Sequence, residues 1–171
     1  MGTVAAGLEG VIAGESQICF IDGGKGVLSY RGYNIHTLAD NATFEEVIYL
    51  LWNGALPNQA QLDELKRSLV AERPVPQRVL DFLASVPQGV PMDVLRTAVS
   101  MLGLEDPQAQ DMSPAANAAK AVRLMAKTAG IVVAFDRLRN GKPLVESDPE
   151  LGFAANFLYT LTGKRPDELM T

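Results

Sequence analysis

The sequence predicts a mainly α fold, a multi-helical array preceded by a short N-terminal β-hairpin. Three observations carry this reading. Strand-type residues flank a glycine-rich turn once, within residues 16–32. From residue 43 onward, apolar residues recur at helical spacing behind capping-type starts, and proline and glycine divide these stretches by short connections.

The hairpin comes first. Ser16-Gln17-Ile18-Cys19-Phe20-Ile21 and Val27-Leu28-Ser29-Tyr30-Arg31 are rich in apolar, β-branched or aromatic residues. Between them Asp22-Gly23-Gly24-Lys25-Gly26 supplies the positive φ that a tight turn needs. Everything afterwards reads as helices and short loops. Thr43-Phe44-Glu45-Glu46 is a capping-box pattern, in which the Thr43 hydroxyl and the Glu46 carboxylate satisfy free backbone N–H groups at a helix start. It opens an apolar helix over 47–52, closed by Gly54 and Pro57.

Asn58 with Gln61 repeats the box, and Leu62, Leu65 and Leu69 follow on one face, leaving the other wet. Pro74 and Pro76 break this helix. A shorter amphipathic segment carries Val79, Leu80 and Leu83 up to Pro87-Gln88-Gly89. The next helix takes Pro91 in its first turn, where a missing N–H costs little, and Asp93 near the positive end of the dipole. Val94, Leu95, Ala98, Val99 and Leu102 give it a wide apolar face. Ser113-Pro114 opens the longest helix, whose second half, from Thr128, is apolar nearly all round until Asp136 and Arg137. A helix of that kind must be covered on several sides, and Asn140-Gly141 stops it. The last helix carries Phe153, Ala154, Phe157, Leu158 and Leu161, and ends at Gly163 with Pro166 beyond.

Composition excludes several functions. A chain of 171 residues fits one ordinary domain or a large part of a bigger one. With 47% apolar and 20% charged residues it is globular, and its longest apolar run, 47–52, is far short of the roughly 20 residues of a membrane span. The first seven residues lack the basic and apolar regions of a secretory signal, so a cytoplasmic location is expected. Cys19 is the single cysteine, which excludes an intrachain disulfide and a cysteine-based zinc site. Its neighbours Ile18 and Phe20 predict a packed thiol in a strand. A net charge of −5 without a basic cluster argues against nucleic acid as a partner.

Candidate chemistry is sparse. His36 is the single imidazole, and no Ser, Cys or carboxylate pattern makes it part of a triad, so it is read as a surface or packed residue. Gly23-Gly24-Lys25-Gly26 lacks the first glycine, the Ser or Thr after the lysine and the following helix of a phosphate loop. It is a hairpin turn. Asn41-Ala42-Thr43 matches a glycosylation sequon, but without a secretory route Thr43 is better used as a cap. Glu45-Glu46 marks a helix N-terminus, and Glu105-Asp106 an exposed acidic loop before Pro107. Arg31 and Arg96 stand in otherwise apolar segments, each open to burial against a carboxylate or an anionic ligand.

Five segments in order carry a family resemblance: Gly7-Leu8-Glu9-Gly10-Val11; Tyr30-Arg31-Gly32-Tyr33; Thr43-Phe44-Glu45-Glu46 with Leu50-Leu51-Trp52-Asn53-Gly54-Ala55-Leu56-Pro57; residues 90–100; and Ala155-Asn156-Phe157-Leu158-Tyr159. The chain resembles the N-terminal part of bacterial and archaeal citrate synthases and 2-methylcitrate synthases. Val90 departs from a His common there before Pro-Met. The resemblance implies a citrate synthase-like helical enzyme of a large and a small domain, homodimeric, with its site between the domains. It implies a Claisen condensation of acetyl-CoA or propionyl-CoA with oxaloacetate, giving citrate or 2-methylcitrate, in which a carboxylate takes the methyl proton and histidines stabilise the enol and polarise the ketone. Coenzyme A enters as the thioester co-substrate.

On this resemblance residues 1–171 are the N-terminal portion of the large domain, with the small domain and the C-terminal part of the large domain outside them. The single His36 matches none of the catalytic segments, so no catalytic and no metal residue is assigned and the cofactor-binding residues stay unknown. The expected partner is a second copy or a complementary C-terminal half, met through apolar helices, with the helix from Pro91 and the longest helix resembling those that pair across the dimer. The chain alone is expected to be inactive.

Overall fold

A computed structural model describes residues 7, 12 and 14–167. The match at Gly7-Leu8-Glu9-Gly10-Val11 and the reading of the first seven residues lie, Gly7 apart, outside the described residues. The chain forms two compact units, Met1–Asn58 and Gln59–Thr171.

The first unit holds a three-stranded antiparallel sheet in the order β1 (Cys19–Asp22), β2 (Val27–Tyr30), β3 (Tyr33–Asn34), followed by α1 (Ile35–Asn41) and α2 (Phe44–Asn53). The expected hairpin pairs Asp22 with Val27 across the glycine-rich turn, where Gly26 takes φ +64° and the Lys25 N–H donates to Asp22 Oδ1. The third strand was not expected. Tyr30 pairs with Tyr33 across a two-residue turn in which Arg31 and Gly32 both have positive φ, +49° and +89°, the geometry of a type I′ hairpin. Two residues of strand carry no readable periodicity, so β3 has no signature of its own.

Helix α1 was likewise unforeseen, because its seven residues include only two large apolar side chains. Asn34 caps it by accepting the His36 N–H at 2.9 Å. Helix α2 begins with the complete capping box: Thr43 Oγ1 accepts the Glu46 N–H, and Glu46 Oε2 accepts the Thr43 N–H. It ends at Gly54, φ +84°.

The second unit contains α3 (Gln59–Ala71), α4 (Gln77–Ser85), α5 (Pro91–Glu105), α6 (Pro114–Arg139) and α7 (Phe153–Thr162). Apolar spacing decides which faces are inside: Leu62, Leu65 and Leu69 of α3, Val79 and Leu83 of α4, and Val94, Ala98 and Leu102 of α5 are all buried, as read from the sequence. α6 packs against α3, α4, α5 and α7, and α4 packs against α5. α6 thus has four helical neighbours, and of the large apolar side chains in its second half Val132 stays exposed. Val79, Leu83, Val94, Ala98, Leu102, Ile131, Ala134 and Phe135 form one core cluster. Each large apolar side chain fully withdrawn from water stabilises by about 1.5–3 kcal/mol.

Two glycines admit this packing. A Cβ on Gly130 of α6 lies 2.8 Å from Val75 Cγ2, and one on Gly89 lies 2.5 Å from Val94 Cγ2. Gly130 therefore lets α6 approach the connection between α3 and α4, and Gly89 lets the turn before α5 close on its own helix.

Candidate functional site

The segment following α3 and the end of α6 each bury an arginine. Arg73 is 8% exposed and Arg137 6%. Arg73 donates from Nη1 to the Asp148 carbonyl at 3.0 Å and from Nη2 to the Leu151 carbonyl at 2.8 Å, which holds the loop before α7. Arg137 donates from Nε to the Pro143 carbonyl at 2.5 Å and from Nη1 to the Leu161 and Thr160 carbonyls at 2.8 and 3.4 Å. The latter two are terminal carbonyls of α7, and a cation at the negative end of a helix is favoured twice, by the hydrogen bonds and by the dipole.

Both guanidinium groups line one cavity of about 470 Å³, enclosed by the α3–α4 connection, α6, α7 and the loop between the last two. Its walls are apolar, with Val75, Leu80, Val133, Phe153 and Phe157 among them. Asn156 of α7 also lines it, its Oδ1 accepting the Ser147 hydroxyl and the Asp148 N–H, each at 2.9 Å. Asp148 in turn accepts the Glu150 N–H and pairs with Arg165, and these two donors, the backbone one first, hold its carboxyl below the usual range.

A second hollow of about 530 Å³ lies between the end of α5 and the first half of α6. All three of its cations are engaged. Arg123 forks onto Asp106 at 2.9–3.2 Å, Lys127 pairs with Glu72 at 2.6 Å, and Lys120 donates to the Ala109 and Asp111 carbonyls. Asp106 is held below its ordinary pKa, first by the Gln108 N–H and then by Arg123. The acidic pair expected to be an exposed loop is therefore half structural: Asp106 ties the end of α5 to α6, while Glu105 stays exposed.

The other sequence candidates stay scattered. His36 is exposed on α1. Cys19 is in a strand as expected but exposed, since β1 is an edge strand and its neighbour Phe20 is 61% exposed. Arg96 is not buried; it is exposed and pairs with Asp93 one turn away at 3.0 Å. Arg31 is half-buried and donates from Nη2 to the Leu51 carbonyl at 2.9 Å, so it caps the end of α2, while its Nε has no hydrogen-bond partner among the described residues. Glu45 is buried and Glu46 serves the capping box. Among the described residues no group of three His, Cys, Asp or Glu side chains could hold a metal ion, and no helix is long and apolar enough to cross a membrane.

Sequence reasoning missed both buried arginines. The sequence makes Arg137 the polar end of the apolar run, whereas it is among the buried residues of α6. The available signal is its position two residues after the apolar stretch and just before a helix stop, where a cation could meet another helix end.

The described residues thus define a mainly helical scaffold organised on one long helix, with apolar hollows and buried structural cations. Residues 7–171 match the family model described as citrate synthase, C-terminal domain, and the chain belongs to the citrate synthase family. It is 47% identical over 169 residues to citrate synthase 2 of Bacillus subtilis, covering 98% of this chain and 45% of that protein. It is 41% identical over 165 residues to a 2-methylcitrate synthase of Mycobacterium tuberculosis, covering 96% and 42%. The crystal structure of citrate synthase from Pyrobaculum aerophilum superposes with a TM-score of 0.89 at 33% identity, covering 95% of this chain and 43% of that one. The chain spans under half the length of the relatives it matches.

Proposed function

We propose that the chain is the N-terminal portion of the large domain of a citrate or 2-methylcitrate synthase, and that it supplies scaffold and assembly surface rather than catalytic groups. The complete protein carries out the condensation of an acyl-CoA, acetyl or propionyl, with oxaloacetate, and works in the cytoplasm. One observation carries the division of labour: the single imidazole, His36, stands exposed on a short helix, whereas an enolising condensation needs a carboxylate base and several preorganised donors at one point. Coverage of 45% of the Bacillus subtilis relative supports the same reading.

The partner of this surface is the complementary half or a second copy. Met92 and Leu104 of α5 are 70% and 80% exposed, and Leu124 and Val132 of α6 are also open, apolar side chains that a partner would cover. The test is enzymatic and uses two chains. The pure 171-residue chain forms no citrate from acetyl-CoA and oxaloacetate, and mixing it with a separately produced C-terminal half of a relative restores condensation. Citrate formation by the chain alone overturns the proposal. A stable homodimer in sedimentation that recruits no complementary half favours instead a self-associating helical domain.

A further inference from the structure

We propose that the cavity between α6 and α7 binds a monocarboxylate carrying a compact apolar body. Its volume, about 470 Å³, lies within the range of roughly 300–1,000 Å³ typical of small-molecule sites, which pair apolar walls with a few fixed polar groups. Arg137 is more than nine-tenths buried, and the one acidic residue on the lining, Glu146, is exposed. Among the described residues Arg137 has no carboxylate within ion-pair distance. The end of α7 offers only about half a negative charge in compensation.

Two donors on this lining are uncommitted. Arg137 spends Nε and Nη1 on carbonyls, and its Nη2 makes no hydrogen bond among the described residues. Asn156 has its Oδ1 occupied by Ser147 and Asp148, which fixes the amide orientation and leaves Nδ2 as a donor with no acceptor among the described residues. A carboxylate is the ligand group that accepts from a guanidinium and an amide together and neutralises the cation. Val133, Phe153 and Phe157 then receive the apolar body. A phosphate or a dicarboxylate would bring a second charge against these walls, where the other cation of the lining, Arg73, is already engaged by the Asp148 and Leu151 carbonyls.

The probe is octanoate, with octanol as its uncharged match, added to the 171-residue chain and followed by calorimetry and by saturation transfer from the protein to the ligand. Octanoate is expected to bind about tenfold or more tightly than octanol, the difference that one charge-assisted hydrogen bond makes. Ala129→Leu, which fills the cavity from α6, removes octanoate binding while the far-ultraviolet dichroism stays helical. Asn156→Leu narrows the octanoate preference over octanol. Equal binding of the two probes overturns the proposal, as does octanoate binding unchanged in Ala129→Leu. Neither outcome depends on condensation activity, so this inference and the assignment of the chain within the enzyme fail separately.

Discussion

The guanidinium of Arg137, near the end of α6, closes the end of α7 by donating to the Leu161 carbonyl at 2.8 Å, across 24 residues of chain. Replacing it with methionine keeps the length and removes every donor, leaving the Pro143, Thr160 and Leu161 carbonyls unsatisfied. Arg137→Met is expected to lower unfolding stability by about 3 kcal/mol, at the upper end for hydrogen bonds to a charged group. Arg137→Lys restores part of it. Urea denaturation of the three chains checks the order.

Gly130 sets two opposing effects against each other. Alanine in a helix interior gains about 1 kcal/mol over glycine, but overpacking a filled interior costs roughly 1–3 kcal/mol. Because the added Cβ meets Val75 Cγ2 at 2.8 Å, Gly130→Ala is expected to be destabilising in the natural sequence. With Val75→Ala in the background the methyl group is gone, and the same change becomes neutral or stabilising. A double-mutant cycle by denaturant unfolding measures the sign change.

The acid limb of stability depends in part on Asp106. Its folded pKa lies below the ordinary 3.8, so its contribution is fully present above that value and is lost as pH falls through the folded one. Asp106→Asn is expected to remove its share of that dependence, leaving the shares of Asp111 and Asp148, while also weakening the tie between α5 and α6. Thermal melts from pH 6 downward should show a shallower acid decline for the variant than for the parent, and an identical decline would contradict the assignment.

The box at the start of α2 is the simplest prediction. Thr43→Ala removes the acceptor for the Glu46 N–H and one anchor of the Glu46 carboxylate. A loss of about 1 kcal/mol is expected, typical of an N-cap, and Thr43→Ser should recover nearly all of it. Hydrogen exchange of the first-turn amides of α2 reads the effect locally.

Much of the fold could be read in the sequence because its signals are local. The capping box at Thr43, Pro91 at a first turn, Ser113 before Pro114 and Gly163 after α7 each act within one turn of a helix, and the leucine spacing of α3 needs only its own helix. β3 and α1 escaped because two and seven residues are too short for a period to register. The cavity escaped for another reason. Arg73 reaches Asp148 and Arg137 reaches Leu161, so the lining exists only once distant segments have met. Cys19 shows the converse: apolar neighbours predicted burial, but only the neighbouring strands and helices decide whether a strand's apolar residues are covered.

The central place of α6 has a consequence for the chain as it is made. The apolar stripes of α3, α4 and α5 are complete before Ile131, Ala134 and Phe135 have been synthesised, so at ordinary rates of elongation they wait several seconds for the helix that covers them. During that interval Leu62 and Leu69 lack the helix against which α3 packs, whereas Leu83 can already meet α5. Nascent chains paused between α5 and α6 should be the ones that recruit holdase chaperones, and release should follow the emergence of residue 135 from the ribosome.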